Sequence, residues 1–285
     1  MKTNKEHLVI QSVQGRVHHP TLRGPGYRVG SDGVGRIPHA TGGITYNYKI
    51  GDNCMDIVGD HIEPGVSLKN ADNNENDALN TFACVGNIAK VITGDAKGEL
   101  GFVTGKHGGI DHVMIYFSAD TLEKMVIDDK VLIKASGQGL KIEGYDDVMV
   151  MNLDPSLFEK MNIKEVDGKL HVGVTHIVPG FLMGSGLGSS TLMSGDYDIT
   201  TQDSEAVSKY HLDTLRFGDI VYIQDHNADN GPHYKNGSGL VGVIVHSDSY
   251  TSGHGPGVCV LLSSKLDTLV PMIDANANLA NLCLK

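Results

Sequence analysis

Apolar positions along the chain fall in short runs rather than in the three-and-four spacing of amphipathic helices. Runs rich in Val, Ile or Tyr occur at residues 43–49, 82–85, 88–92, 113–117, 130–135, 148–152 and 170–177, and again at 219–224, 240–246 and 257–262. Most are bounded by Gly, Asp or Asn, the pattern of a strand that ends in a turn. Helical signals are few. Ser118 can cap a helix reaching Val126, and Asp154 followed by Pro155 opens another to about Met161, with aspartate at the cap and proline in the first turn. Residues 202–210 and 279–284 are the remaining helical stretches. The run NADNNENDALN at 70–80 reads as a polar surface loop. The expectation is a mainly β fold (β-rich α+β), barrel-like or made of packed sheets, with a few short helices.

Composition sharpens this picture. The 36 glycines exceed the ~20 that average usage gives a chain of this length, and they imply many turns and bulges. Residues 154–168 hold the best boundary signal, dividing the chain into β-rich parts at 1–153 and 154–285, or into two parts of one intertwined unit. The net charge is −11 with Lys and Arg scattered, which argues against nucleic acid or an anionic membrane as partners. No apolar run approaches the ~20 residues of a membrane span. The opening MKTNKEHLVIQSVQ lacks the apolar core of a signal peptide, so a cytoplasmic protein is expected. Cys54, Cys84, Cys259 and Cys283 form no CxxC pair and read as reduced, mostly buried thiols.

Candidate chemistry gathers in four segments. Residues 225–257 carry four of the 14 histidines among dense glycines. Asp225 and His226 close one strand there, His246 and Asp248 lie two apart at the end of the next, and the GHGPG loop can bring His254 back toward them. Residues 51–68 gather Asp56, Asp60, His61 and Glu63 ahead of a Pro-Gly turn. In a loop, adjacent Asp60 and His61 can both reach one cation. Residues 105–109, GKHGG, can present backbone N–H groups and Lys106 to an anionic ligand, with His107 beside them. The GSGLGSS run, centred on Gly186, lacks the strand–loop–helix setting of a dinucleotide site and reads as a lid or a backbone-lined ligand wall.

Together, GDHIEPGVS, TGKHGG, LMGSGLGS, GDYDI, LRFGDIV and VGVIVHSDSYTSGHGPGV resemble an uncharacterised prokaryotic domain-of-unknown-function family over residues 13–263. That resemblance implies a β-rich cytoplasmic protein with an N-terminal and a C-terminal part, and no particular reaction. A fainter similarity is to the acetamidase/formamidase family. Asn53, Met55, Asp56, Gly65 and Leu68 echo its first pattern; Val85-Gly86, Gly94-Asp95 and Gly98-Glu99 echo its second. Where that family has a histidine between these pairs, this chain reads IAKVIT. Amidase activity is suggested without its metal site.

These readings lead to a metal-dependent hydrolase or lyase acting on a small polar metabolite. Asp60, His61, His246 and His254 are the expected ligands of a divalent ion. His61, His254 and Asp248 are the expected catalytic groups, and Lys106, His107, Gly186, Asp225 and His226 the expected substrate contacts. A homo-oligomer is expected. The competing readings are a non-enzymatic small-molecule binder or oligomeric scaffold, and a metal-free acid/base enzyme built on His–Asp pairs.

Overall fold

The computed structural model describes residues 1–22, 26–38, 41–187 and 191–284, with the backbone alone at 185–187. Six strands in the first half close into an antiparallel barrel: β1 (Gln11–Val17), β2 (Gly65–Lys69), β3 (Ile88–Val91), β4 (Leu100–His107), β5 (His112–Tyr116) and β6 (Lys130–Ala135). Their order is β1-β6-β3-β4-β5-β2, and β2 pairs back onto β1, so no open edge remains. Alternate residues fill the interior, among them Val17, Leu68, Val103, Ile115 and Ile133, all fully buried.

The run at 70–80 is not a loop. It forms a helix over Asn73–Phe82, and the polar composition misled because the asparagines are used rather than solvated. Asp72 caps it by accepting from the Glu75 N–H at 3.0 Å. Asn76 and Asn80 both donate through Nδ2 to the Asp111 carbonyl at 3.1 Å. Leu79 points into the barrel against Gly15 of β1, where an added Cβ would stand 2.9 Å from both Leu79 Cδ2 and Leu68 Cβ. The other expected helices form, capped by Ser118, Asp154, Asp203 and Asn278, although the first is a single turn, Ala119–Leu122, and does not reach Val126.

The second half builds an open sheet from β7 (Val148–Val150), β8 (His176–Pro179), β9 (Met183–Leu187), β10 (Tyr197–Ile199), β11 (Ile220–Asn227), β12 (His233–Ile244) and β13 (Gly257–Ser264). The order is β8-β11-β12-β13-β10-β9, with β7 added to β13. A three-stranded sheet of Ile163–Val166, Lys169–Val174 and Leu269–Ile273 lies beside it. The two halves share one core, in which Val85, Phe102 and Met114 pack with Val172, Val241, Leu261 and Leu279. Among the described residues, no helix is long and apolar enough to cross a membrane.

Two joins between the halves hold the histidine-bearing loops in place. A bulge in β4 brings Gly105 so close to Val245 that a Cβ there would run into its side chain. The loop after β12 is also knitted to the loop before β2: Ser247 N donates to Ile62 O at 2.9 Å, and Ile62 N donates to Ser247 Oγ at 2.8 Å.

Leu79→Ala is expected to cost about 2–5 kcal/mol in denaturant unfolding, because the barrel interior cannot collapse onto the space left behind. A cost below about 1 kcal/mol would show that the helix does not plug the barrel.

Candidate metal centre

The loop before β2, the end of β4, the strand β10 and the loop between β12 and β13 meet at one point, and each delivers histidine or aspartate. β10 supplies Asp198 and, one residue ahead of the strand, Asp196. Alternation along this short stretch sends Tyr197 into the core and both aspartates to the opposite face. Tyr197 is anchored there by the ring of His226, whose Nδ1 lies 3.0 Å from the phenol oxygen.

Two trios of potential ligands result. The first is His61, Asp198 and His254; the second is His107, Asp196 and His246; within each, the ligand atoms lie within 4.8 Å of one another. In the first, Asp198 Oδ2 is 2.9 Å from His254 Nδ1 and 3.3 Å from His61 Nε2, and the two ring nitrogens are 3.2 Å apart. Ligands about 2.1 Å from a cation at tetrahedral or octahedral angles stand about 3.0–3.4 Å apart, so these separations suit a bound ion. In the second, His246 Nε2 and Asp196 Oδ2 are 2.9 Å apart, yet both are buried and neither has a hydrogen-bond partner. Two groups so placed can share a proton or face a shared cation. Gly257 makes room: a Cβ on it would collide with both atoms.

Asp198 joins the trios, because its Oδ1 lies 3.4 Å from His246 Nε2 while its Oδ2 serves the first trio. The rings pack accordingly, with His107 and His246 centroids 4.3 Å apart and His61 and His246 centroids 4.9 Å apart.

Behind the ligands stands a layer of acceptors that aims them. His246 Nδ1 donates to the Ser247 carbonyl at 2.9 Å, His107 Nδ1 lies 2.5 Å from Glu63 Oε1, and His61 Nδ1 lies 3.2 Å from Asp60 Oδ1. Each contact ties up Nδ1 and turns the Nε2 lone pair inward, the arrangement that orients metal-binding imidazoles. Asp60 is held in turn by Ser249 Oγ at 2.5 Å and Arg28 Nη1 at 3.3 Å. Glu63 also accepts from Ser67 Oγ and contacts His112 Nδ1 at 2.9 Å; His112 Nε2 lies 3.2 Å from His18 Nδ1.

The electrostatics follow from burial. Asp60, Glu63, Asp196 and Asp198 are all nearly inaccessible to solvent. Burial works against ionising Asp198, but the imidazoles of His246, His254 and His61 beside it outweigh burial and hold its carboxyl well below the usual range. Burial opposes ionisation of Glu63 too, and His112 and His107 overcome it. Burial would lower the His246 pKa, yet Asp196 and Asp198 drive it well above its ordinary value. His61 is likewise raised against burial, by Asp198 and Asp60. His107 goes the other way, lowered by burial and by the neighbouring His246. Without a cation, protons on imidazole balance the carboxylates. A metal ion can take their place, and these clusters can hold one.

With this geometry established, comparison with known proteins places the chain. Residues 27–159 match the Domain of unknown function (DUF4438), N-terminal, and residues 160–283 match its C-terminal counterpart. The chain belongs to the DUF4438 family. A solved crystal structure of a protein designated TM1086 is 44% identical, with a TM-score of 0.94 over 99% of this chain and 98% of that one. No curated protein matches the chain. The acetamidase/formamidase similarity finds no support in these comparisons. In this DUF4438 chain, two of its echoing positions have other duties: Asn53 donates to the Asp213 carbonyl, and Gly94 packs against Asp129.

Of the residues expected from sequence, His61, His246 and His254 come together, and His107 joins them as a potential metal ligand rather than a substrate contact. Asp60 sits one layer back, behind His61. Asp248 turns away, accepting from Thr201 Oγ1 and the Ser249 N–H at 2.8 Å. Lys106 is in strand β4 and fully buried, its Nζ donating to Asn152 Oδ1 at 2.6 Å and Met193 O at 2.7 Å; burial pulls its pKa down. The glycine loop beyond it does bind an anion through its backbone, but the anion is Asp196, which accepts from the Gly108 N–H at 2.7 Å. Asp225 and His226 belong to neither trio: the His226 ring stacks on Tyr197, which points away from the face that carries Asp196 and Asp198. Asp225 occupies a bulge at φ 54° and accepts from the Gly237 N–H. Gly186 falls in 185–190, whose surroundings lie outside the described residues. Asp196 and Asp198 were not among the expected ligands, although their i, i+2 spacing in GDYDI was the available signal.

His226 provides a titration test of the support behind β10. Burial and His233 lower its pKa to about 4, so the folded state holds it neutral while the unfolded chain takes up a proton below about pH 6.5. Its contribution to stability is therefore lost as pH falls from about 6.5 to about 4. Urea unfolding at pH 7 and at pH 4.5 should show a smaller acid loss for His226→Gln than for the parent. Equal losses would mean the imidazole is not held neutral.

Proposed function

We propose that the chain is a metal-dependent hydrolase or lyase that holds two divalent cations between its His/Asp trios and acts on a small polar metabolite. The observation that carries this reading is the Asp198 carboxylate, with one oxygen in the first trio and the other facing the second. A carboxylate so placed can bridge paired cations about 3.5–4 Å apart, the spacing used in two-metal hydrolysis. The charges also fit, since four buried carboxylates offset two divalent ions while the imidazoles stay neutral. Cations held there would activate water and polarise a substrate carbonyl or phosphoryl oxygen.

The protein's own groups have separate tasks. His107, Asp196 and His246 form the buried trio, closed off beneath β4. His61, Asp198 and His254 form the more open one, and the half-exposed His254 marks the side from which a substrate enters. Asp60, Glu63 and the Ser247 carbonyl fix the imidazoles, so that no reorientation accompanies the reaction.

Metal analysis of protein purified without an affinity tag should find about two equivalents of divalent ion, or uptake of that amount after chelation. Asp198→Asn should weaken both sites together, and Glu63→Gln should lower affinity by about 10–100-fold with the fold retained by circular dichroism. Because the His246 pKa is raised, protons compete with the cation, and uptake should be tighter at pH 8 than at pH 6. A protein with no ion and no uptake would overturn the proposal.

A further inference from the structure

A second concavity lies in the C-terminal half and shares no residue with the His/Asp cluster. Its volume is about 660 Å³, within the range of metabolite-binding clefts. It opens between the start of β8, the turn after the helix Ser204–Lys209, and the segment following Leu269–Ile273. On a protein of net charge −11, its lining is basic: Lys209 and Arg216 with His176 and His211, and no acidic residue among the described lining residues. Arg216 spends part of its guanidinium on Asp219, a fully buried carboxylate behind the wall, and on the Ala275 carbonyl. Lys209 lies over the Tyr210 ring, with Nζ 5.1 Å from its centre, and forms no salt bridge among the described residues. His211 reaches the rim from a left-handed backbone at φ 57°, a conformation that non-glycine residues adopt at a cost.

The hydrogen bonds of His176 show what the pocket lacks. Thr175 Oγ1 donates to the Ile220 carbonyl at 3.2 Å, and Thr214 Oγ1 donates to the His211 carbonyl at 2.8 Å. The His176 Nδ1 and Nε2 each lie 2.9 Å from one of these hydroxyls. Both ring nitrogens are met by hydroxyls, and neither is spent on a carboxylate. The nearest carboxylate oxygen, on Asp219, stands 4.0 Å away and is already bound by Arg216. Burial pulls the His176 pKa down against the opposing pull of Asp219, and an anion in the pocket would favour its charged form.

We propose that this pocket is a second binding site, which takes a small organic anion, a carboxylate or phosphate ester with an apolar body. The anionic head sits among His176, Lys209 and Arg216, and the body lies against Tyr210 and Ile273. The test is isothermal titration calorimetry with phenyl phosphate, with neutral benzamide as control, on the full chain kept in chelator. Phenyl phosphate should bind and benzamide should not. Lys209→Glu, a change at an exposed side chain, should weaken binding by about tenfold, and His254→Asn should leave it unchanged. Absence of phenyl phosphate binding at millimolar concentration, equal binding by Lys209→Glu, or loss of binding in His254→Asn would overturn the proposal. The last result would place the anion at the His/Asp cluster. Because the measurement is made without metal, its outcome is independent of whether the cluster holds ions.

Discussion

Everything at the centre of this protein is governed by the need to neutralise four carboxylates taken out of water. Asp60, Glu63, Asp196 and Asp198 are buried within one small region, and an uncompensated charge there would be costly. Histidines answer that need from every side, and Asp198 alone contacts His61, His246 and His254. Either protons or cations can complete the balance. His246 Nε2 and Asp196 Oδ2, 2.9 Å apart, are the pair between which a proton or a cation would stand.

The fold exists around this constraint in a recognisable way. A closed barrel provides a rigid end to β4, from which His107 projects, and its bulge at Gly105 allows the second sheet to approach closely. The second sheet contributes β10, whose register sets Asp198 opposite Gly257. The backbone bonds between residues 61–62 and 247–248 then lock the two ligand-bearing loops as one piece. Neither half holds both trios' ligands: His61 and His107 come from the first, and Asp196, Asp198, His246 and His254 from the second. The shared core is accordingly part of the site's construction, and not only of its stability.

Local features were legible in the sequence where a residue's chemistry acts on its own neighbours. Ser118, the Asp154-Pro155 pair and most of the short Val- and Ile-rich runs marked an element that forms; the run at 82–85 does not, since Phe82 ends a helix and Val85 makes only an isolated bridge to Leu153. His61, His246 and His254 were legible as a group because they sit with aspartates in glycine-bearing loops, and the fold brings the three rings together. Lys106 misled because a lysine beside glycines suggests an exposed cation, whereas its Nζ is consumed by Asn152 and Met193. Asp225 and His226 stand outside both trios because Asp225 is taken up by the Gly237 N–H at a bulge and His226 packs behind β10 on Tyr197. The helix at Asn73–Phe82 was hidden by polar residues whose partners, such as the Asp111 carbonyl, lie 31 and 35 positions away. Barrel closure and the pairing of Asp198 with Gly257 are long-range facts, and no local pattern carries them.

The central claim is that the two trios hold paired cations across Asp198. The most direct measurement is anomalous diffraction from crystals grown with manganese or zinc. The account predicts two peaks about 3.5–4 Å apart, one beside His61 and His254 and the other beside His107 and His246, with an Asp198 oxygen on each. A well-ordered cluster with no anomalous peak, and with His246 Nε2 hydrogen-bonded to Asp196, would contradict it.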